Sequence, residues 1–558
     1  MSKNIYILGT HLSHDGSACL IKNGKIVAAI EKERITRRKH DGGNDSAAIQ
    51  YCLNAEGISI YDLDLVVQNA NFEKETLSIS NYMGKRVFPN DYNVPVVTIS
   101  HHLAHAYSAI GTCPFDACNV MVIDGAGSPY DQCDDLAGAA IPNLDTIINS
   151  SQSFLCEKNS FYRFDGKLTP IYKEFSPFNH TIPQKAVNMP TIVHSIGGVY
   201  QAVSQYCFGN VDDTGKLMGL APYGRKGAMN IPVFELRDGT IYNTLDWRNS
   251  LTQPFVTYED FKANFQYYAD IARWIQDETE KAVLYLFNER QKMSPHQNWC
   301  YAGGVALNAV ANQRILAETD VKNLYIQPAA GDNGIAIGCA YYGWLEVLKK
   351  ERVPHTGYSN FGVTYPINIV ADDGIKVYHR PDWVEDTARL LANGAVIAWF
   401  YRGCEFGPRA LGFRSILADP RKPGVKAFIN REIKLREDFR PFAPAVPRED
   451  CTKYFKYDWD SPYMILVNPV KPEWREQLSN VVHLNETSRV QTVTQDSNPA
   501  FYNLLKEFEK HSGISILLNT SLNRRGMPII ETPEQALEFF KESPIDYLVF
   551  ENYIVSKK

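Results

Sequence analysis

The sequence predicts a two-domain α/β protein whose first domain contains two similar halves. A chain of 558 residues is too long to fold around a single hydrophobic core. Short apolar strands end in turns that carry glycine and aspartate, first near residue 14 and again near residue 124. The proline- and glycine-containing stretch 352–358 is the candidate linker, and the apolar run 395–400 after it begins another α/β unit. The predicted domains are 1–358 and 359–558.

Apolar runs and turn residues predict the elements of the first domain in order. Asn23-Gly24 lies between two apolar runs and is a strong signal for a two-residue hairpin turn. From His101 to Ile110 the apolar residues recur at helical spacing. The predicted strands are 5–8, 18–21, 26–30, 94–99, one beginning at 120 and one beginning at 299. The predicted helices are 45–53, 101–110, 194–207 and 266–292, with another helix beginning within 329–338.

The composition is that of an ordinary globular protein and excludes several classes of function. Apolar residues make up 44% and charged residues 22% of the chain. No apolar run approaches the roughly 18 residues that a membrane span needs, and no signal-peptide pattern opens the chain, so we expect a cytoplasmic protein without a membrane partner. A net charge of −6 gives no general attraction to nucleic acid. Eleven cysteines without a Cys-x-x-Cys pair argue against disulfides and thiolate zinc sites.

Positive charge is concentrated between Arg402 and Arg440, where ten basic residues accompany five acidic ones. A solvated basic face is one explanation, although such faces are usually rich in lysine and poor in glycine and proline. Here the arginines alternate with glycine, proline and phenylalanine, which indicates a fixed, partly buried backbone. Buried guanidinium groups need anionic partners, and their fork of donors suits phosphate. The segment therefore predicts a site for a phosphate-bearing ligand.

Two histidines predict a metal site. His101 and His105 are four residues apart, so a helix places them on one face, as chelation requires. Asp124 and Asp332 could add oxygen ligands, and such a set suits Fe(II), Mn(II) or Zn(II). The alternatives are surface histidines, a turn aspartate before Gly125 and a helix N-cap at position 332. Spacing alone does not show that the four residues converge.

Glycine and amide motifs give weaker indications of ligand binding. Gly303-Gly304 and Asp332-Asn-Gly334 could bring backbone N–H groups close to phosphate at helix N-termini, but tight turns use the same residues. Asn519-Thr-Ser521 follows the apolar run 514–518, at a strand end where α/β proteins bind ligands, or forms a simple turn. The chain contains neither a Walker A motif nor a dinucleotide-binding fingerprint.

Longer motifs run through both predicted domains. In the first they are His14-Asp-Gly-Ser-Ala18, His101-His-Leu-Ala-His105, Asp124-Gly125, Lys216-Leu-Met-Gly-Leu-Ala-Pro-Tyr-Gly224 and Ala302-Gly-Gly-Val-Ala-Leu-Asn308. In the second they are Gly407-Pro-Arg-Ala-Leu-Gly412, Arg414-Ser-Ile-Leu-Ala-Asp-Pro-Arg421, Ile433-Lys-Leu-Arg-Glu437, Phe439-Arg-Pro-Phe-Ala-Pro444 and Leu518-Asn-Thr-Ser521. Together, and nearly from end to end, they resemble the nodulation-protein-type O-carbamoyltransferases, the family of the tobramycin and cephamycin carbamoyltransferases.

The resemblance implies a fold and a reaction. The first domain would have the duplicated actin/sugar-kinase-like (ASKHA) fold of the tRNA threonylcarbamoyl-transfer protein. The second would be a YrdC-like α/β domain, like the partner that makes threonylcarbamoyl adenylate. Family members form carbamoyl adenylate from carbamoyl phosphate and ATP in the second domain. An acceptor hydroxyl then attacks that intermediate in the first domain, beside a bound iron.

The family motifs also imply roles for individual residues. Fe(II), or another divalent metal, would be held by His101, His105, Asp124 and Asp332, and Mg(II) would accompany ATP. His14 would lie near the transfer site, where it could accept the hydroxyl proton. Nucleotide in the first domain would contact Gly303, Gly304 and Asn308. Carbamoyl phosphate and ATP in the second domain would be held by Arg409, Lys434, Arg440, Arg489, Asn519 and Ser521.

The resemblance leaves the acceptor open. We expect the hydroxyl of a small molecule, an antibiotic-like secondary metabolite or a glycan, with residues 140–190 as the candidate acceptor pocket. A transferase that acts on a protein or tRNA is an alternative, but the chain lacks paired Cys-x-x-Cys fingers and the basic charge that tRNA favours. A non-enzymatic nucleotide-binding regulator is another, and it would not need the second-domain arginines. The sequence does not fix the oligomeric state; a homodimer is a common arrangement for such enzymes.

Overall fold

The computed structural model describes residues 3–70, 78–142, 144, 155–177, 195–244 and 246–558. Internal contacts divide the chain into two compact units. The first consists of Met1–Lys25, Gly43–Ile49 and Ser59–His355, and the second of Ile26–Gly42, Gln50–Ile58 and Thr356–Lys558. Two early segments thus belong to the second unit, although no linker signal marks them. The predicted boundary between residues 358 and 359 stays a prediction.

The first 350 residues contain twelve strands and nine α-helices among those described. The strands are β1 Tyr6–His11, β2 Ser17–Lys22, β3 Lys25–Glu31, β4 Leu65–Asn69, β5 Val96–Thr98, β6 Ala117–Ile123, β7 Leu155–Asp165, β8 Leu168–Pro177, β9 Phe234–Arg237, β10 Thr240–Asn243, β11 Asn298–Ala302 and β12 Asn323–Ile326. The helices are α1 Lys32–Thr36, α2 Ser46–Glu56, α3 His101–Thr112, α4 Ile196–Phe208, α5 Thr214–Leu220, α6 Tyr258–Ala263, α7 Phe265–Met293, α8 Ala309–Glu318 and α9 Ile335–Tyr342.

The strand pairing of the first unit repeats itself. Strand β1 pairs antiparallel with β2 and parallel with β4, and β4 pairs parallel with β5. In the same way, β6 pairs antiparallel with β7 and parallel with β11, and β11 pairs parallel with β12. This repeat confirms the predicted duplication within the first domain. The predicted hairpin turn is also confirmed, because Asn23 and Gly24 have φ angles of 51° and 81° between β2 and β3.

Glycines allow α9 to lie unusually close to its neighbours. A Cβ atom on Gly338 of α9 would stand 1.8 Å from the carbonyl oxygen of Ala104 in α3. On β1, a Cβ atom on Gly9 would stand 2.0 Å from the carbonyl oxygen of Ala336 in α9. Because α3 begins at His101 and Asp332 lies just before α9, this packing brings the two histidines and the aspartate together.

The second unit is built around an eight-stranded mixed sheet of order β13-β22-β21-β14-β15-β20-β16-β19. Stacked rings of Trp383 and Trp399, 4.9 Å apart, join a helix to the sheet. The likeness to YrdC-type domains stays a prediction. The strands are β13 Ile375–His379, β14 Ile397–Phe400, β15 Arg414–Ala418, β16 Ala443–Pro447, β17 Val467–Pro469, β18 Thr487–Arg489, β19 Gln491–Val493, β20 Leu517–Ser521, β21 Tyr547–Phe550 and β22 Tyr553–Lys557. The helices are α10 Trp383–Ala392, α11 Val425–Phe428, α12 Cys451–Tyr454, α13 Pro499–Ser512 and α14 Pro533–Glu542.

The sequence encodes the ends of α13 clearly. The side chain of Asn498 accepts a hydrogen bond from the Phe501 amide, Pro499 occupies the first turn, and Gly513 ends the helix with φ of 80°. No helix among the described residues is both long and apolar enough to cross a membrane.

We predict that Gly338→Ala destabilises the protein, because the added methyl group collides with the backbone of α3. The free energy of unfolding should fall by about 1–3 kcal/mol. Gly215→Ala is the matched control, since its Cβ atom would meet nothing within 4 Å, and alanine is the better helix former. Urea unfolding of both variants tests this, and equal transition midpoints would contradict the close packing of α3 and α9.

Candidate functional site

Four side chains of the first unit converge on one point. The Nε2 atom of His101 lies 3.1 Å from Oδ2 of Asp124 and 3.4 Å from Oδ1 of Asp332. The Nε2 atom of His105 lies 3.2 Å from that of His101 and 3.8 Å from Oδ1 of Asp332. Ligands about 2.1 Å from a shared ion lie roughly 3.0–3.4 Å apart, so this spacing fits one metal ion. Two imidazoles and two carboxylates suit Fe(II), Mn(II) or Zn(II).

The electrostatics of this cluster favour a bound cation. Burial lowers the pKa of His101, but Asp332 and Asp124 outweigh it and raise that pKa to about 10. Burial conversely raises the pKa of Asp332, and His101 brings it well below its usual range. The carboxylates therefore hold a proton on His101, in the place where a divalent ion would be bound. The four residues fit the predicted metal, although their assignment as ligands stays a prediction.

His11 is a neighbour of the cluster that the sequence analysis did not select. Its Nε2 atom lies 3.9 Å from Oδ2 of Asp332 and donates to the carbonyl oxygen of His14 at 2.9 Å. Its Nδ1 atom lies 3.1 Å from Oδ1 of Asn69. Burial lowers the pKa of His11 to about 4, so the ring is neutral. A histidine at the end of an apolar strand, three residues before His14, was the available signal.

The amides of the two glycines predicted to bind nucleotide both have partners in the protein. The amide of Gly304 donates to Oδ1 of Asp124 at 2.9 Å, and the amide of Gly303 donates to the carbonyl oxygen of Ala330 at 2.9 Å. Gly303 has φ of 91°, and a Cβ atom there would stand 2.2 Å from the carbonyl oxygen of Ile123. In this structure both amides thus donate to other groups of the protein, and their predicted contact with nucleotide stays a prediction.

Asn308, the third residue predicted to bind nucleotide, caps a helix. Its Oδ1 atom accepts from the Ala311 amide at 3.1 Å, at the start of α8. The same side-chain amide exchanges two hydrogen bonds of 3.0 Å with Gln276 on α7. Any contact with nucleotide would therefore have to share these bonds.

A buried ion pair supports the beginning of α3. One carboxylate oxygen of Glu157 accepts from the amides of His102 and Ser128, at 3.2 and 3.0 Å. The other lies 2.6 Å from Nζ of Lys173. The hydroxyl of Ser128 accepts from the His101 amide at 2.9 Å, so this network joins α3 to the loop that carries Asp124. Sequence spacing gave no signal for Glu157 or Lys173, which lie on separate strands.

His14 lies between two carboxylates. Its Nδ1 atom is 3.0 Å from Oδ2 of Asp15, and its Nε2 atom is 3.6 Å from Oδ1 of Asp212. The hydrogen bond to Asp15 makes the largest contribution and that to Asp212 the next, and together they raise the pKa of His14 to about 11. The ring is therefore charged at neutral pH and suited to donate hydrogen bonds. Its predicted role as a proton acceptor stays a prediction.

Five basic side chains of the second unit lie close together, so their positive charges repel one another. Burial and Arg440 lower the pKa of Arg409 to about 10. Burial, Arg409, Arg436 and Arg440 lower the pKa of Arg489, and burial, Arg436 and Arg440 lower that of Lys434. Arginine keeps its charge in proteins at neutral pH, so an anion is the partner that relieves this repulsion. We name this set the cation cluster: Arg409, Lys434, Arg436, Arg440 and Arg489.

The hydrogen bonds of the cation cluster leave part of its charge uncompensated. Within the described chain, the buried Nε atoms of Arg409 and Arg489 have no hydrogen-bond partner. Lys434 donates to Oδ1 of Asn523 at 2.7 Å and to the hydroxyl of Ser521 at 3.0 Å, rather than to a carboxylate. The predicted residue Ser521 thus lies beside Lys434.

Other arginines of the basic segment are structural. Arg414 is fully buried and donates to backbone carbonyl groups, among them that of Arg402 at 2.8 Å. Arg421 pairs with Asp419 at 2.7 Å, and Arg431 pairs with Asp438. The sequence could not separate these paired arginines from the cluster, and it did not select Arg436 as a site residue.

Asn519 holds the loop that carries Arg409. Its Nδ2 atom donates to the carbonyl oxygen of Ala410 at 3.2 Å and to Oε1 of Gln491 at 2.8 Å. The side chain of Asn519 is buried at the sheet, and these bonds fix the backbone next to Arg409. Its predicted contact with carbamoyl phosphate or ATP stays a prediction.

Two family models match this chain, one over each of its two main regions. The family model described as Carbamoyltransferase N-terminus matches residues 6–86 and 64–341, and that described as Carbamoyltransferase C-terminus matches 388–557. The chain belongs to the carbamoyltransferase family. The first match contains the converging histidines and aspartates, and the second contains the whole cation cluster.

Similar proteins include members of this family with different names. An uncharacterized protein of Synechocystis sp. is 34% identical over 98% of this chain and 95% of its own length. The nodulation protein NolNO of Sinorhizobium fredii is 29% identical over 98% of this chain and 79% of its own length. A 3'-hydroxymethylcephem-O-carbamoyltransferase of Amycolatopsis lactamdurans is 30% identical over 57% of this chain and 59% of its own length.

The predicted acceptor region lies partly outside the described residues. Of residues 140–190, positions 143, 145–154 and 178–190 fall outside them, whereas 155–177 form strands β7 and β8 with their turn.

We predict that this carbamoyltransferase binds one divalent ion per chain and releases a proton as it does so. Because His101 is protonated below about pH 10 in the metal-free cluster, each unit of pH lost should lower the affinity about tenfold. His105→Ala and Asp332→Asn should abolish stoichiometric binding, whereas His379→Ala, at an exposed strand residue, should not. Anaerobic calorimetric titration with Fe(II) between pH 6 and 8 measures both effects. Wild-type binding by the first two variants would refute the site.

Proposed function

We propose that this chain is an ATP-dependent O-carbamoyltransferase that forms carbamoyl adenylate and transfers the carbamoyl group to a small-molecule hydroxyl. The observation that carries the proposal is the cation cluster in a member of the carbamoyltransferase family. Burial and neighbouring positive charges, among them Arg440, lower the pKa values of Arg409, Lys434, Arg436 and Arg489, so the cluster suits a multiply charged anion. Carbamoyl phosphate and the triphosphate of ATP are such anions, and both must be neutralised before one group attacks the other.

The proposed first reaction balances with one water molecule. Water converts carbamoyl phosphate to carbamate and phosphate. A carbamate oxygen then forms a bond to the α-phosphorus of ATP, and the bond from that phosphorus to the pyrophosphate oxygen breaks. The products are carbamoyl adenylate, phosphate and pyrophosphate. The cation cluster would hold the phosphate groups and stabilise the charge that moves to the leaving pyrophosphate.

The proposed second reaction uses the converging residues of the first unit. The acceptor oxygen forms a bond to the carbamoyl carbon, the bond to AMP breaks, and AMP leaves. A divalent ion held by His101, His105, Asp124 and Asp332 would supply Lewis-acid polarisation of an oxygen. His14 is charged at neutral pH because of Asp15 and Asp212. A charged imidazolium has no lone pair with which to accept a proton. In place of the proton-acceptor role predicted from the sequence, we therefore assign His14 to donate a hydrogen bond to the reacting oxygen, with a neighbouring carboxylate to take the acceptor proton.

The acceptor class is inferred from relatives and from charge. One relative is named for a hydroxymethyl group on a cephem, and others are named as nodulation proteins. A secondary metabolite or a glycan therefore remains the proposed acceptor, and the net charge of −6 gives no reason to propose nucleic acid. Cytoplasmic location, a homodimer and Mg(II) bound with ATP belong to the same proposal.

We predict that the two sites can be inactivated separately. Arg440→Gln should lower the release of pyrophosphate from ATP and carbamoyl phosphate by about 100-fold or more, because one charge on the leaving group is no longer matched. Its Fe(II) content should equal that of the wild type. His105→Ala should lose the metal and keep pyrophosphate release within about threefold, because the lost side chain belongs to the converging residues of the first unit and not to the cation cluster.

Arg431→Gln is the matched control for the basic segment. Its side chain pairs with Asp438 and is largely exposed, so its removal should leave pyrophosphate release unchanged. If Arg440→Gln loses metal as well as turnover, or if His105→Ala stops pyrophosphate release, the proposed assignment of the two reactions is wrong.

A further inference from the structure

A segment from the beginning of the chain is part of the second unit. Residues 26–42 include all of β3 except its first residue, together with helix α1. Two charged residues of this segment, Glu31 and Arg34, are 4% and 1% exposed. They form an ion pair in which Nε of Arg34 donates to Oε2 of Glu31. Charges buried this deeply destabilise a fold unless they are paired, although Nη1 of Arg34 has no hydrogen-bond partner within the described chain.

Two further hydrogen bonds of this pair go to one backbone residue. The Gly407 amide donates to Oε1 of Glu31 at 3.0 Å. The guanidinium of Arg34 donates from Nη2 to the Gly407 carbonyl oxygen at 2.6 Å. Both polar backbone groups of Gly407, which has φ of 114°, are thus bound by the same ion pair. We name Glu31 and Arg34 the Gly407 clamp.

The clamp fixes one end of the loop that carries Arg409. Gly407 lies two residues before Arg409, and the other end is fixed where Asn519 binds the carbonyl oxygen of Ala410. Arg409 therefore extends from a backbone that is bound on both sides. A site that must hold a polyanion gains affinity when its cations are held in position before the ligand arrives.

Neighbouring contacts attach the segment that contains the clamp to the rest of the second unit. Arg37 donates to the carbonyl oxygens of Ile529 and Pro528, at 2.7 and 2.9 Å. Lys39, in the same segment, adds its positive charge to those that lower the pKa of Lys434. The segment thus contributes backbone attachment and positive charge to the surroundings of the cation cluster.

We propose that Glu31 and Arg34 are positioning residues for the phosphate site, because they hold the Gly407 backbone so that Arg409 faces its anion. This inference rests on the proposed function, in which the cation cluster binds phosphate groups. It implies that residues 359–558 alone do not contain the complete site.

The test is calorimetric titration of the full chain with inorganic pyrophosphate. Arg409→Gln is the reference and should weaken binding about tenfold or more. Glu31→Ala should weaken it to a similar degree. Glu31→Gln should recover part of the affinity, since its amide oxygen still accepts from Gly407. The control Glu33→Gln removes the same charge two residues away, from a carboxylate that binds only the His40 amide among the described contacts, and should bind as the wild type does.

A double variant separates positioning from folding. In Glu31→Met/Arg34→Met the ion pair is replaced by apolar side chains, an exchange that commonly preserves stability. We expect the variant to fold, with a thermal unfolding midpoint lowered by no more than a few degrees because the Gly407 backbone loses two hydrogen bonds. Pyrophosphate binding should weaken about tenfold and KM for carbamoyl phosphate should rise. If this variant and Glu31→Gln bind like the wild type while Arg409→Gln does not, the positioning role is refuted. If Arg409→Gln also binds like the wild type, the phosphate site itself is refuted.

Discussion

Positive charge buried in the second unit is the constraint on which the rest of this structure depends. Arg409 and Arg489 each have a buried guanidinium nitrogen without a hydrogen-bond partner in the described chain. Arg436 and Arg440 surround them with more positive charge. Removing charge from water is strongly unfavourable unless an opposite charge replaces the solvent, so this arrangement favours a bound anion. The surrounding hydrogen bonds of Asn519 and of the Gly407 clamp hold the loop in the geometry that such an anion needs.

In the first unit, the charge that needs a partner is negative. There, the carboxylates of Asp124 and Asp332 are brought together, and a proton on His101 compensates them in the absence of metal. A divalent cation supplies more positive charge than one proton, which explains why this arrangement suits a metal. The glycine contacts of α9 with α3 and β1 are the packing that makes the convergence geometrically feasible. Each unit therefore contains one preorganised group of like charges. In the first unit these are the carboxylates of Asp124 and Asp332, and in the second they are the side chains of the cation cluster.

The sequence predicted those features that depend on neighbours along the chain. The hairpin at Asn23-Gly24 and the helix that begins at His101 follow from local turn chemistry and periodicity, and the structure confirms both. The excess of arginine over acid in 402–440 indicated an anion site, but ion pairing decides which arginines are available. Arg414 and Arg436 look alike in sequence, yet the guanidinium of Arg414 donates its hydrogen bonds to backbone carbonyl groups. Contacts between distant positions, such as that of Arg34 with Gly407, leave no periodic signal, because they are determined by tertiary packing alone.

The most direct test of the account is isotope exchange between labelled pyrophosphate and ATP in the absence of any acceptor. If the cation cluster promotes attack of carbamate on ATP, the reverse reaction of carbamoyl adenylate with labelled pyrophosphate returns the label to ATP. Exchange should therefore depend on carbamoyl phosphate and be lost when Arg409 is replaced by glutamine. Exchange that proceeds equally without carbamoyl phosphate, or its complete absence in active metal-loaded enzyme, would contradict the account.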